Sequence, residues 1–369
     1  MKVMQIVADG SPGGGTTNVL ALTEDLLDQG VDVVFASEHG SYAIQEAERL
    51  GANVCHGLRF FRSRIDTQVV TQLRKAIEDA DADIIHAHGG RAGFAMVRGT
   101  NPKRLGRTLY TVRGYQFWRK RFPMRFLAER VERKISRSVF RTVHVSQSDQ
   151  NVAMNRHFVA DHGDSVIIRN GIRLSDIPVP DLSSGEDEVS RLHVAVLGRL
   201  TLPKNPHLVL NLASELASEG FVFHFIGGGD MEAEIRLRAE EEQIGNVIFH
   251  GDQSRTNGLL KMSKCGTFLM ASLWEGLPIA PVEAMAMGLA VVISDVNGCT
   301  EVVRDNVEGR VAPSENQAAF AAALRAVITE PDLTQQMIES GKQRVASEFT
   351  RTRVVQQHLA LYAECLATS

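Results

Sequence analysis

The stretch Ser272-Leu273-Trp274-Glu275-Gly276-Leu277-Pro278-Ile279-Ala280-Pro281-Val282-Glu283-Ala284-Met285-Ala286-Met287-Gly288 decides how the rest of the chain is read. Two glutamates, Glu275 and Glu283, bracket seven residues of glycine, proline and apolar type. An apolar run over residues 267–271 leads in as a strand, a helical pattern begins near Val282, and a second apolar run covers residues 290–294. Glu275 therefore falls on the loop after a strand, and Glu283 on the first turn of a helix. Ligands of open α/β sheets bind outside the carboxyl ends of the strands. Backbone amides at a helix start, with the positive end of its dipole, suit a phosphate. Carboxylates beside them accept hydrogen bonds from sugar or ribose hydroxyls. Taken alone, the same spacing also describes a capped helix with two solvated acids, so the surroundings decide.

Working outward, strands and helices alternate through both halves. Residues 3–8, 31–37, 83–87, 108–112, 142–146 and 166–169 read as strands of a first set, with a helix over 17–29. Residues 174–190 carry prolines, adjacent serines and acids without apolar periodicity, the composition of a linker. Residues 192–198, 221–226 and 246–250 open a second set of strands, and residues 332–368 form two helices with a break near 347–351. The class is α/β, with parallel sheets covered by helices on both faces. A chain of 369 residues is long for one core. Two domains are expected, 1–173 and 191–346, joined by the linker 174–190 and followed by a closing helix in 347–369.

Composition narrows the function. Hydrophobic content of 44% with 23% charged residues describes a soluble globular protein, and a net charge of −4 gives nucleic-acid binding no support. Cys55, Cys265, Cys299 and Cys365 lack metal or disulfide spacing, as thiols do in a reducing cytoplasm. Residues 1–7 run straight into Asp9-Gly10 and read as a first strand rather than a signal peptide. No apolar run reaches transmembrane length.

Three further loops carry candidate chemistry. Asp9-Gly10-Ser11-Pro12-Gly13-Gly14-Gly15-Thr16-Thr17 brings backbone amides to a helix start. A dinucleotide fingerprint would need a third glycine where Asn18 stands, with Glu38 as its ribose acid. Gly198-Arg199-Leu200-Thr201-Leu202-Pro203-Lys204-Asn205-Pro206 sets two cations five residues apart between a strand and a helix, within reach of one diphosphate. In His86-Ala87-His88, alternation turns both imidazoles to one face. With no third ligand nearby, a metal site is not expected there. From Lys103 to Arg141 there are 13 Lys or Arg against two acids, Glu129 and Glu132, interleaved with Tyr115, Phe117, Trp118, Phe122, Met124, Phe126 and Leu127. Such a stretch suits an anionic membrane surface, or it is an amphipathic helix with a solvated basic face.

The Glu275–Glu283 segment resembles the E-x7-E motif of the retaining glycosyltransferases of family 4, and the resemblance runs over nearly the whole chain. It implies the GT-B architecture: two Rossmann-like domains facing across a cleft, with the last helix crossing back to the first domain. The activity implied is transfer of a sugar from a nucleotide-diphosphate sugar, commonly a UDP-sugar, to a saccharide acceptor, with no metal or other cofactor required. The stretch 198–205 resembles the family's G-R-x-x-x-x-K-(N/G) motif, which gives Gly198 to the donor and Arg199 and Lys204 to the leaving diphosphate. Glu275 is then placed on hydroxyls of the transferred sugar and Glu283 on the ribose. Ile279, Ala280 and Pro281 fall beside the diphosphate, and Gly14 and Gly15 across the cleft from it. His88 matches a histidine near the reacting sugar.

Two positions depart from the family pattern. Arg113 stands in Thr111-Val112-Arg113-Gly114 where a histidine is common, and a permanent cation there suits an acceptor phosphate rather than a base. Arg173 replaces the acid that commonly follows Asn170-Gly171. The basic stretch resembles that of members extending lipid-diphosphate-linked oligosaccharides. This implies a lipid-linked acceptor and docking through Trp118, Arg119, Lys120 and Arg121 on the inner face of the cytoplasmic membrane. Rival readings stay open: a sugar-nucleotide epimerase or hydrolase, an NAD-dependent dehydrogenase, and a non-catalytic carbohydrate-binding protein.

Overall fold

The computed structural model describes residues 1–60, 67–115, 117, 121–179 and 191–368. The chain forms two compact units, Met1–Gly171 with Arg351–Ser369, and Ile172–Thr350. The first unit holds seven parallel strands, β1 (Lys2–Val7), β2 (Asp32–Ala36), β3 (Asn53–Cys55), β4 (Ile84–His88), β5 (Thr108–Val112), β6 (Arg141–His144) and β7 (Ser165–Ile167), in the order β3-β2-β1-β4-β5-β6-β7. β1 is buried along almost its whole length because helices cover both sheet faces, which explains its near-continuous apolar run. Gln5 is the polar exception, wholly buried in that strand. The helix Gly14–Asp28 turns Val19, Leu22 and Leu26 into the core at helical spacing.

The last helix, Arg351–Ala367, belongs to this first unit, where Val355, Tyr362 and Cys365 join the same apolar cluster as Leu22 and Leu26. Its start is pinned by Arg351, which donates to Asp25 at 2.6 and 2.8 Å and to Glu24 at 2.7 Å. A preceding helix, Pro331–Glu348, ends just short of it.

The second unit holds six parallel strands, β8 (His193–Leu197), β9 (Val222–Ile226), β10 (Val247–Phe249), β11 (Thr267–Met270), β12 (Ala290–Ser294) and β13 (Arg310–Ala312), in the order β10-β9-β8-β11-β12-β13. Each unit is Rossmann-like, a parallel sheet with helical crossovers. In each the strand order reverses once, between β1 and β4 in the first and between β8 and β11 in the second. Those reversals open a crevice at the carboxyl ends of the strands, and loops on either side of it form the ligand site in folds of this kind. All four edge strands are three residues long; β7 and β10 were readable as apolar runs, whereas β3 and β13 carry too little period to show. Among the described residues no helix is long and apolar enough to cross a membrane.

Candidate active site

The reversal in the second unit brings the two decisive stretches together. The loop after β8 carries Gly198 to Lys204, and the loop after β11 carries Ser272 to Ile279. A glycine run shapes the first loop from below. A Cβ on Gly227 would lie 2.4 Å from the Gly198 carbonyl oxygen, and one on Gly229 would lie 2.3 Å from that of Leu200. With no side chains there, Leu200 N–H donates to the Gly228 carbonyl at 2.7 Å and the loop lies flat on the run. Gly198 itself has φ +147°, and a Cβ on it would lie 3.3 Å from Lys204 Cε, so its bareness makes room for the lysine stem. Leu273 N–H donates to the Pro203 carbonyl at 2.8 Å and joins the two loops.

Their side chains then meet. Lys204 Nζ lies 2.6 Å from Glu275 Oε1, which also accepts from Ser272 Oγ at 2.8 Å. Glu275 Oε2 makes no hydrogen bond among the described residues, which leaves one acceptor oxygen for a ligand hydroxyl. Arg199 is exposed, and its guanidinium makes no hydrogen bond or ion pair among the described residues. Gly298, which sequence reading passed over, has φ +80°, and a Cβ on it would lie 2.0 Å from the Gly276 carbonyl oxygen. It holds the backbone beside Glu275 in place.

Glu283 sits in the first turn of the helix Ala280–Met287 and is 5% exposed. Its Oε1 accepts from Arg255 at 2.8 Å, and Arg255 also lies 3.8 Å from Asp176. Burial raises the Glu283 pKa above the ordinary carboxylate value, and Arg255 opposes the rise. Arg255 begins a helix capped by Ser254 and stands 28 residues from Glu283, so nothing local in the sequence announced the pairing. Among the described residues the backbone N–H groups of Ala280 and Val282 make no hydrogen bond at this helix start. Pro281, with no N–H of its own, takes the second position of the helix, where none is needed.

In the first unit, His86 and His88 do share a face, with ring centroids 4.2 Å apart. Both are buried and tied into one polar chain. Gln5 donates to Tyr362 OH at 3.1 Å, Tyr362 OH meets His86 Nδ1 at 2.8 Å, and His86 Nε2 meets Thr111 Oγ1 at 2.7 Å. His88 Nε2 meets Gln5 Oε1 at 2.5 Å, and Arg113 donates to His88 Nδ1 at 3.1 Å and to Asn170 Oδ1 at 3.0 Å. Burial holds both histidines well below their ordinary pKa, so they are neutral. Both ring nitrogens of His88 are thus engaged within the domain, and the group at the mouth of the network is Arg113. Glu38, the ribose acid of a dinucleotide site, instead accepts the backbone N–H of Phe60.

Gly14 and Gly15 open the helix Gly14–Asp28, and no protein atom lies within 4 Å of a Cβ built on either. Trp118, Arg119 and Lys120 lie outside the described residues; Arg121 is exposed. It precedes a helix, Met124–Ser136, near whose start Phe122 is 86%, Phe126 54% and Leu127 52% exposed. Part of the basic run is structural: Arg133 and Arg137 donate to the carbonyls of Arg156 and His157 at 3.0 Å.

Known proteins show the same organisation. The model of Glycosyltransferase Family 4 matches residues 12–176, and that of Glycosyl transferases group 1 matches residues 186–344. The UDP-Gal:alpha-D-GlcNAc-diphosphoundecaprenol alpha-1,3-galactosyltransferase of Escherichia coli is 22% identical over 313 residues, covering 81% of this chain and 80% of the relative. The alpha-maltose-1-phosphate synthase of Mycolicibacterium smegmatis is 24% identical over 392 residues, covering 97% and 96%. Among solved structures, HepE of Anabaena in complex with UDP superposes with a TM-score of 0.83 at 17% identity, covering 99% of this chain and 100% of that one. The sucrose-phosphate synthase of Thermosynechococcus elongatus does so with 0.82 at 17% identity, each chain covered in full. With both family models matched in order along the chain, two Rossmann-like units, and both loops of the motif meeting at one strand reversal, this chain belongs to the family 4 glycosyltransferases of the GT-B fold.

Proposed function

We propose that this protein is a retaining glycosyltransferase that moves a sugar from a UDP-sugar to a saccharide acceptor, in the synthesis of a cell-surface polysaccharide or glycolipid. The observation that carries the proposal is the meeting of Lys204, Glu275 and the Glu283 helix start at one strand reversal. The buried Glu283 carboxylate, steadied by Arg255, accepts from the ribose hydroxyls, and the amides of Ala280 and Val282 face the diphosphate. Glu275 Oε2 accepts from a hydroxyl of the transferred sugar. As the bond from the anomeric carbon to the diphosphate stretches, negative charge grows on the departing oxygens. Arg199 and Lys204 stabilise that charge in place, which is electrostatic preorganisation. The acceptor hydroxyl forms its bond on the face the diphosphate leaves, and its proton passes to a diphosphate oxygen. No divalent metal is needed in this scheme, because the two cations and the helix amides do its work.

The acceptor belongs to the first unit. Its apolar and cationic surface, Phe122, Phe126 and Leu127 beside Arg121, Arg130 and Lys134, suits the anionic inner face of a membrane and thus a lipid-linked acceptor. The E. coli relative, whose substrate is a diphosphoundecaprenol-linked sugar, supports that reading.

A panel of UDP-, GDP- and ADP-sugars with NAD, scored by thermal shift and slow nucleotide release, tests the donor. Stabilisation by UDP-sugars is expected, and stabilisation by NAD alone would overturn the proposal. Anomeric configuration of the product, read by NMR, tests retention. Liposome binding that is unchanged after Phe122 and Phe126 are replaced by serine would sink the membrane reading.

A further inference from the structure

We infer that the first unit carries an oxyanion-binding pocket around Arg113, and that the acceptor saccharide brings a phosphate or carboxylate to it. The inference rests on the transferase reading for the word acceptor, but the pocket itself does not. Arg113 follows β5 at the carboxyl edge of the sheet and lines a pocket with Asn18, Asp25, Arg169, Asn170 and Arg351. Every lining residue belongs to the first unit.

Charge is unbalanced there. Asp25, the one acid of the lining, is committed to Arg351 at 2.6 and 2.8 Å, and Arg351 also donates to Glu24 at 2.7 Å, so neither carboxylate answers Arg113. Arg113 has no carboxylate within ion-pair distance among the described residues, although burial is strong enough to push its pKa down to about 10. A part-buried cation without a counter-charge is costly and is rarely kept without a use. The two groups that touch it are both neutral: the Asn170 amide oxygen and the His88 Nδ1 lone pair. That lone pair faces Arg113 because Gln5 Oε1 takes the Nε2–H on the far side, and Gln5 is itself fixed by its donation to Tyr362. The network therefore orients the guanidinium and leaves its charge intact. Arg113 Nε is buried with no hydrogen-bond partner. A planar fork so held, on a side chain that lines a cavity, matches an oxygen of a phosphate or carboxylate. A neutral hydroxyl would leave the charge unanswered.

The test uses the full chain and inorganic phosphate as probe, by calorimetry and thermal shift. Phosphate is expected to bind and stabilise the protein without competing with UDP. Arg113→Gln should weaken phosphate binding about tenfold to a hundredfold, the worth of one charge-assisted hydrogen bond, at unchanged UDP affinity. Equal phosphate binding by both proteins, or displacement of phosphate by UDP, overturns the inference. Should Arg113→Gln not fold, Arg113→Lys carries the test, because it keeps the charge and loses the fork: weaker phosphate binding is expected, and unchanged binding overturns the inference. Glucose 6-phosphate and glucuronate separate the two sources of oxyanion by their competition with phosphate. Equal competition by glucose would show that charge is not being read. Loss of the donor reading would appear separately, as wild-type protein that binds phosphate and fails to bind UDP.

Discussion

Arg255→Ala tests whether Glu283 acts as an ionised ribose-binding carboxylate. The Glu283 side chain is 6% exposed and Arg255 lies 2.8 Å away with 38% exposure. Burial raises the Glu283 pKa and Arg255 opposes it, so removing Arg255 lets the pKa climb further. Breaking a wholly buried pair costs about 3–5 kcal/mol. Arg255 is more than a third exposed and screened by water, which reduces the expected loss to about 1–2 kcal/mol, or roughly 5- to 30-fold in UDP affinity. The pH dependence has a defined sign. A protonated Glu283 no longer offers a carboxylate to two ribose hydroxyls, so affinity falls as pH drops through the raised pKa. In Arg255→Ala that fall begins at higher pH. Calorimetric titration with UDP from weakly acid to weakly alkaline pH reads both effects, and Glu283→Gln should give a weak, pH-independent baseline. If Arg255→Ala kept wild-type affinity and an unmoved acid limb, either Glu283 would not bind the ribose or Arg255 would not hold it, and the reasoning would fail.

Gly198→Ala puts a Cβ 3.3 Å from Lys204 Cε at φ +147°, so turnover should drop at least about tenfold with UDP affinity largely kept, as measured by steady-state donor turnover. Tyr362→Phe strips the shared partner of Gln5 and His86 and should cost about 2–4 kcal/mol in urea unfolding; a cost below about 1 kcal/mol would mean that the buried chain is not structural. His144 and His358 are buried with pKa pushed down to about 4, below the unfolded value of 6.5. The unfolded chain therefore binds more protons between those limits, so stability present above pH 6.5 is lost as pH falls toward 4, by up to about 3 kcal/mol per histidine. Urea midpoints at pH 8, 6.5 and 5 check it, and a midpoint that stayed level on acidification would contradict the burial of neutral imidazoles.

The candidate site of the second unit was readable because its residues lie in contiguous segments. Gly198 to Lys204 and Ser272 to Glu283 each span one strand-end loop and the element after it, and a parallel sheet delivers strand-end loops to one edge. What local reading missed there came from elsewhere in the chain: Arg255 against Glu283, Gly298 against Gly276, and the glycines 227–229 beneath Gly198. The strands that escaped, β3 and β13, are two of the four three-residue edges, too short to show a period.

The pocket around Arg113 in the first unit was readable only in part, for the complementary reason. Its residues come from the helix after β1, the end of β5, the end of β6, the segment after β7 and the final helix, so no short window of sequence contains two of its walls. His86 and His88 stood out as a pair of potential ligands, yet Tyr362, more than 270 residues away, turns His86 into a neutral structural element. Gln5 does the same to His88 from a strand that reads as wholly apolar in purpose. Arg113 carried the more useful signal, because a permanent cation where a histidine is common changes the charge of the site and not merely its shape. A histidine there would be driven neutral by the same burial that lowers His86 and His88. Arginine stays charged through that burial, so the exchange adds a permanent cation to the pocket, and the acceptor proposed for it is anionic.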